Sequence, residues 1–124
     1  MLANRDAAAT IAVKNLAKAK TFYEGKLGFK RFGPDGPAIT YKSGNSVIVV
    51  YESEYAGTNK ATSATWAVGD ELDDIVRTLN DSGVPFEHYD MPGGSRDGDI
   101  HIFGDFRAAW FKDPDGNILH INSA

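Results

Sequence analysis

The chain has 124 residues, of which 42% are hydrophobic and 24% charged, a composition typical of one globular domain with its own core. A net charge of −4, without a basic run, argues against a nucleic-acid partner, and no stretch is apolar for long enough to predict membrane association. The absence of cysteine excludes disulfides and thiolate chemistry and fits a reducing, cytoplasmic location.

The first predicted elements are a short alternating strand at 8–13 and an amphipathic helix that opens at Asn15, a favourable N-cap residue. Gly28 is placed to end this helix in the left-handed conformation. Three strands follow, at 29–32, 38–42 and 46–51. The apolar side chains of the helix recur at helical spacing: Leu16, Ala19, Phe22, Tyr23 and Leu27.

The second half repeats this order after a polar linker. A strand at 63–68 precedes a helix that opens at Asp70 and stops at Gly83, and three more strands are predicted at 84–89, 106–112 and 117–121. The glycine-rich stretch 91–99 has no counterpart in the first half and is predicted to be irregular. Loops of this length are often binding lids or disordered segments.

An internal repeat supports two modules. Shifting the chain by 55 positions aligns Thr10-Ile11-Ala12-Val13 with Thr65-Trp66-Ala67-Val68, and Gly28 with Gly83. The sequence therefore predicts one domain, 1–124, built from a module at about 8–53 and a second at about 63–122.

Two motifs carry a family resemblance. Phe22-Tyr23 followed by Leu27-Gly28-Phe29, and the closing run Phe-Lys-Asp-Pro-Asp-Gly-Asn at 111–117, resemble the vicinal-oxygen-chelate superfamily of glyoxalase I, bleomycin-resistance proteins and extradiol dioxygenases. The resemblance implies an α+β fold of two βαβββ modules, whose curved, mixed, four-stranded sheets form a cup with the helices outside. It also implies a homodimer, because strand edges need to be covered.

The resemblance further implies where a metal would bind. Enzymes of this superfamily typically hold one divalent ion with side chains from the first and last strands of each module, and the matching positions here are Ala8, Val49, Ser63 and His120. Alanine and valine offer no donor atom, and serine is a poor ligand. We therefore expect no metal and no other cofactor.

The residues inferred to line the concave face of the sheets predict that it binds a small molecule. Strand alternation gives it small residues that leave room, two aromatic walls and few polar groups, which suits an apolar or planar small molecule. Trp110 could instead fill a core. His120 could be a metal ligand, an acid–base group or a hydrogen-bonding group in the cup, and the last is favoured because no acidic partner lies on this face. The predicted ligand-binding residues are Thr10, Val49, Tyr51, Thr65, Ala108, Trp110 and His120.

These observations favour a metal-free small-molecule binding protein of the glyoxalase/bleomycin-resistance type, with a small molecule as partner. The alternative is a glyoxalase-like lyase, isomerase or dioxygenase that uses a non-standard metal site or His120 as an acid–base group. A third reading is a structural or regulatory module whose cup is closed by side chains. The sequence identifies no catalytic residue and does not name the ligand.

Overall fold

A computed structural model of the protein describes residues 1–34 and 36–124. The chain divides into two compact units. The first comprises residues 1–60 and 114–117, and the second comprises residues 61–113 and 118–124.

The first unit contains one helix and four strands among the described residues. The helix has an α-helical part, α1, and continues as a π-helical segment, Thr21–Lys26. The bounds are β1 (Ala9–Val13), α1 (Leu16–Lys20), β2 (Lys30–Arg31), β3 (Ala38–Ser43) and β4 (Ser46–Glu52).

The first helix begins where the sequence places it. The Asn15 side chain accepts a hydrogen bond of 3.1 Å from the backbone N–H of Lys18, the contact expected of an N-cap. Gly28, just after the helix, has φ +77°. Phe22 and Tyr23 are buried on the inner side of the helix, as its apolar periodicity predicts.

The first sheet has the order β1-β4-β3-β2, with β1 parallel to β4 and the other pairs antiparallel. One face is buried against the helix, since the Tyr23 and Tyr41 rings stack with centroids 6.1 Å apart. The buried side chains of this face are Ile11, Val13, Ile39, Tyr41, Ile48 and Val50.

The second unit contains one α-helix, preceded by a 3₁₀ turn at Gly69–Glu71, and six strands. Gly83, after the helix, has φ +84°. The bounds are β5 (Thr62–Ala67), α2 (Leu72–Asp81), β6 (Phe86–Glu87), β7 (Ser95–Asp97), β8 (Ile100–Phe103), β9 (Phe106–Lys112) and β10 (Ile118–Asn122).

The second sheet has the order β5-β10-β9-β8-β7, and β6 also pairs with β9. It thus has six strands rather than the predicted four. The difference comes from β7 and β8, which pair as an antiparallel hairpin within and after the stretch predicted to be irregular. The glycines of this segment favour a loop, but the pairing of β7 with β8 satisfies the hydrogen-bonding groups of its backbone.

The α+β class predicted from the sequence is confirmed: within the described residues, two helices accompany two mixed sheets. In each unit the first strand lies parallel to the last, so β1 pairs with β4 as β5 pairs with β10. In the described part of the chain, no helix combines the length and the apolar character needed to cross a bilayer.

Candidate functional site

An aromatic and histidine cluster surrounds Trp110 in the second unit. The Trp110 ring centroid lies 4.5 Å from that of His120 and 4.9 Å from that of His101, whose ring meets it edge to face. The Tyr89 ring meets the indole edge to face at 5.6 Å. Such contacts fix the orientation of all four rings, so their polar atoms point in defined directions.

Sheet register places the cluster on one face. His120 pairs with Trp110 and with Thr65, while Ala108 pairs with His101. Paired residues on neighbouring strands point to the same side of a sheet. Four of the predicted ligand-binding residues, Thr65, Ala108, Trp110 and His120, therefore share a face, and we call it the Trp110 face.

The opposite face of this sheet is a core. Phe111 is 1% exposed and its ring lies 5.5 Å from that of Phe86. Leu119 and Ile121 are buried on the same side, since they alternate with His120 along β10. The alternation inferred from the sequence around Phe111 and Trp110 agrees with this placement.

The proton of His120 can be assigned from its neighbours. Asn122 Oδ1 accepts a hydrogen bond from the backbone N–H of Ala124, so its amide nitrogen faces His120 Nε2 at 3.1 Å. An amide NH₂ can only donate, so Nε2 of His120 accepts, and the neutral ring carries its proton on Nδ1. Burial lowers the pKa of His120 below 6.5, with the nearby Ala109 backbone opposing the shift, which favours this neutral form.

His101 is held in the same tautomer. The backbone N–H of Tyr89 donates a hydrogen bond of 2.9 Å to His101 Nε2, so that nitrogen is an acceptor and Nδ1 bears the proton of the neutral ring. His101 is 2% exposed. His101 was not among the predicted site residues, because the strand that carries it was not predicted.

Three polar atoms of the cluster have no hydrogen-bond partner among the described residues: Tyr89 Oη, His101 Nδ1 and His120 Nδ1. Leaving a buried donor unpaired costs about 1–3 kcal/mol. Burial also raises the pKa of Tyr89, which keeps its hydroxyl protonated. The cluster therefore contains three unpaired polar groups that its own rings close off from solvent.

A cavity of about 440 Å³ adjoins the cluster. Tyr89 and His101 belong to both, whereas Trp110 and His120 do not line the cavity. The residues that line this cavity were not predicted, and the glycine-rich stretch 91–99 had been left open as a binding lid or a disordered segment. The lining residues are Tyr89, Asp90, Met91, Pro92, Gly94, Ser95, Arg96, His101 and Phe103.

A polar network holds the end of the segment that lines the cavity. Asp99 accepts one hydrogen bond of 2.7 Å from Asn80, on α2, and its other carboxylate oxygen lies 2.7 Å from Nε2 of His88. The hydrogen bond with His88 is the main cause, and the one from Asn80 the second, that holds the pKa of Asp99 below its usual value. The network therefore holds this end of the segment, and none of its three residues lines the cavity.

The three predicted site residues of the first unit also share a face. Thr10 pairs with Val49, and Tyr51 follows two residues later on β4, on the side away from the buried core. Val49 is half-buried, Thr10 is exposed and Tyr51 is 38% exposed.

The residues at the family's metal positions do not fit a metal. Thr10 and Thr65 are equivalent under the repeat offset of 55. Thr10 pairs with Val49 and Thr65 pairs with His120, so Val49 and His120 also occupy equivalent positions in the two units. Only His120 carries a strong ligand atom. Its Nε2 already accepts from Asn122, and the described residues bring together no group of three His, Asp or Glu side chains.

Solved structures share this fold at low sequence identity. A glyoxalase family protein from Enterococcus faecalis matches with TM-score 0.73 and 20% identity, over 98% of this chain and 99% of that chain. A glyoxalase/bleomycin resistance protein/dioxygenase from Alicyclobacillus acidocaldarius gives 0.71 and 20%, over 96% and 90%. The fosfomycin resistance protein FosX from Listeria monocytogenes, complexed with Mn(II) and sulfate, gives 0.73 and 15%, over 98% and 90%.

Sequence comparison gives the family. No curated protein matches this chain in sequence. The family model described as Glyoxalase/Bleomycin resistance protein/Dioxygenase superfamily matches residues 7–121, nearly the whole chain. The predicted resemblance is thereby confirmed, and the chain belongs to the glyoxalase/bleomycin resistance protein/dioxygenase superfamily.

Proposed function

We propose that this protein binds a small, planar and mostly apolar molecule, without a metal, at the Trp110 face of its second unit. The observation that carries the proposal is the cavity of about 440 Å³, which is bordered by the Tyr89 and His101 rings that pack on Trp110. Pockets for small ligands have volumes of about 300–1,000 Å³ and combine an apolar lining with a few placed polar groups.

The aromatic cluster supports a planar ligand. Tyr89 and His101 line the cavity and rest edge to face on Trp110, so their rings form a rigid border. Rigid aromatic surfaces bind flat molecules with little loss of side-chain entropy. Tyr51, Val49 and Thr10 stay candidate binding residues on the corresponding face of the first unit.

The metal-free part of the proposal rests on residue chemistry. FosX from Listeria monocytogenes was solved with Mn(II), so this fold can hold a metal. In this chain, alanine, valine and serine occupy the positions that the family resemblance assigns to ligands. A single imidazole is not enough for a site that needs three protein ligands.

Hydrogen bonding also weighs against an acid–base role for His120. A general base needs a free lone pair, but Nε2 already accepts from Asn122 and Nδ1 carries the proton in the neutral ring. This favours a binding protein over a lyase, isomerase or dioxygenase that uses His120.

The proposal includes a cytoplasmic homodimer. The absence of cysteine is compatible with a reducing compartment, and β1 and β5 each lie at an edge of their sheet. Exposed residues such as Thr10 and Thr65 on these strands leave edges that a partner copy could cover. Sedimentation equilibrium at micromolar concentration tests this part, and a monomer would contradict it.

The binding proposal is tested with 1-acetylnaphthalene, a planar probe, by isothermal titration calorimetry. Trp110→Ala should weaken binding at least about tenfold, because the border loses its supporting ring. Trp66→Phe is the matched control, since Trp66 pairs with Ile121 on the opposite face and its loss should leave the affinity unchanged.

A second measurement tests the metal-free part. Adding Zn²⁺ or Mn²⁺ should not raise the melting temperature, because a metal that binds only the native state would stabilise it by mass action. Stoichiometric metal binding that disappears in His120→Ala would contradict the proposal. The binding proposal would also be contradicted if Trp66→Phe and Trp110→Ala weakened binding of the probe equally.

A further inference from the structure

Phe103, the last residue of β8, lies on the same face of the sheet as Trp110. It follows His101 by two residues, and side chains alternate along a strand, so the two rings lie on one side. His101 pairs with Ala108, which is two residues from Trp110 on β9. Phe103 therefore belongs to the Trp110 face, although it was not among the predicted site residues.

The side chain of Phe103 borders the cavity of about 440 Å³. Of the four residues of β8, His101 and Phe103 line this cavity, whereas Ile100 and Ile102, which alternate with them, do not. If the strand lined the cavity with its backbone, Ile102 would line it as well, because it lies between the other two. The contact is therefore made by side chains of the Trp110 face. Phe103 is only half-buried, so part of its ring stays accessible.

Gly94 packs against the Phe103 ring and also lines the cavity. A Cβ added at Gly94 would lie 2.6 Å from Cε1 and 3.0 Å from Cδ1 of Phe103. Carbon atoms pack at roughly 3.5–4.0 Å, so a side chain at this position would displace the ring. Gly94 does not have a positive φ, and the demand for glycine therefore comes from the ring rather than from the backbone. This contact fixes one side of the Phe103 ring.

Phe103 differs from Trp110 in what its ring contacts. Trp110 does not line the cavity, and its ring is already in contact with three others, those of Tyr89, His101 and His120. Within the described part of the chain, no aromatic ring and no cationic group packs on the Phe103 ring. Trp110 therefore supports the border of the cavity, whereas Phe103 offers ring surface that no other ring covers.

Resting on the binding function proposed above, we propose that Phe103 is the aromatic wall on which the planar ligand stacks, and that Gly94 is a positioning residue that holds this wall in place. A flat aromatic molecule gains offset stacking on the ring in addition to the burial of apolar area. A puckered molecule of similar size gains the burial without the stacking. Phe103 thus makes the site select flat molecules over saturated ones.

A matched pair of probes tests this selectivity by calorimetry. 1-Acetylnaphthalene is flat, and 1-acetyldecalin has the same carbon skeleton and acetyl group on a puckered, saturated ring system. The wild type should bind the flat probe at least about threefold more tightly. Phe103→Leu, which keeps an apolar side chain without the ring, should abolish this preference, and Phe103→Tyr should retain it. Phe106→Leu is the matched control, because Phe106 pairs with Phe103 on the same face but does not line the cavity.

Gly94→Ala tests the positioning role. The added methyl group displaces the Phe103 ring, so the affinity for 1-acetylnaphthalene should fall at least about threefold. In a Phe103→Ala background the same substitution should leave the affinity unchanged, since the ring is absent. Gly25→Ala is the control, because Gly25 has no positive φ and open space around it. An equal effect of Gly94→Ala with and without the Phe103 ring would overturn the positioning role.

Nuclear Overhauser contacts give an independent readout on the wild-type chain, which does not depend on the folding of any variant. Bound 1-acetylnaphthalene should show contacts to the ring protons of Phe103. Contacts to Phe106 in place of Phe103, or equal affinity of the wild type for the two probes, would overturn the inference while leaving the binding function in place. A flat-probe preference that survives Phe103→Leu would do the same. Failure of both probes to bind would overturn the binding function together with the inference.

Discussion

Arg107 on β9 binds the carboxylate of Asp73, in the first turn of α2, through two hydrogen bonds of 2.8 Å. Asp73 lies in the first turn of α2, where the N-terminus of a helix favours negative charge. The guanidinium, mainly through its hydrogen bonds, holds the pKa of Asp73 below 3.8. The pair ties the helix to the face of the sheet opposite Trp110.

Asp73→Asn should lower the free energy of unfolding by less than about 1 kcal/mol, because Asp73 is half exposed and solvent screens the pair. Since the folded pKa is depressed, the stabilisation is present above about pH 4 and is lost as the pH falls through the folded value. Urea unfolding between pH 3 and pH 7 measures this. A variant with the same acid dependence as wild type would show that the pair contributes nothing.

His120 gives a pH dependence in a different range. Its pKa is lowered from 6.5 by burial, so the unfolded chain binds a proton more readily than the folded one. Stability should be unaffected above about pH 6.5 and should fall as the pH drops below it, until the folded ring also protonates. His120→Gln should show a shallower loss than wild type between pH 7.5 and pH 5. Parallel curves would mean that His120 is not responsible.

Neighbouring aromatic residues on opposite faces should differ in their effect on stability. Phe111→Ala removes a ring that is 1% exposed in the core and should cost about 3–5 kcal/mol. Trp110→Ala should cost less, because Trp110 is half-buried and packs against polar rings. Guanidinium unfolding of both variants provides the comparison. Equal losses would indicate that Trp110 fills a core, which would also contradict its proposed role in binding.

Gly57 lies where no other residue fits. It has φ +75°, and a Cβ added there would overlap the carbonyl oxygen of Asp115. Gly57→Ala should therefore destabilise the first unit by more than the roughly 1–2 kcal/mol cost of a left-handed alanine. Gly44→Ala is the control, since Gly44 has φ +56° with open space around it. Equal melting temperatures for the two variants would contradict the steric argument.

The regular elements could be predicted because their signals are local. The N-cap at Asn15, the glycines after both helices and the alternation along β9 each act within a few residues, and β9 has the predicted bounds. The hairpin of β7 and β8 could not be predicted in this way. It depends on the pairing of Ser95–Asp97 with Ile100–Phe103, and then of β8 with β9, whereas the glycines between 93 and 98 favour a loop locally.

The candidate site was predicted only in part, for the same reason. Alternation correctly grouped Thr65, Ala108, Trp110 and His120, since each lies on a strand that the sequence revealed. It could not find His101, because the position of that ring depends on the unpredicted strand.

The turn before the last strand has a consequence for dividing the chain. Residues 114–117 belong to the first unit, where the Asn117 side chain donates a hydrogen bond of 2.7 Å to the carbonyl of Ala12. A cut after Lys60 would therefore separate β1 from a partner that lies more than a hundred residues later in the sequence. The two halves of the repeat are not interchangeable cassettes, and a fragment ending at Lys60 would need the C-terminal fragment, supplied in trans, to recover its native contacts.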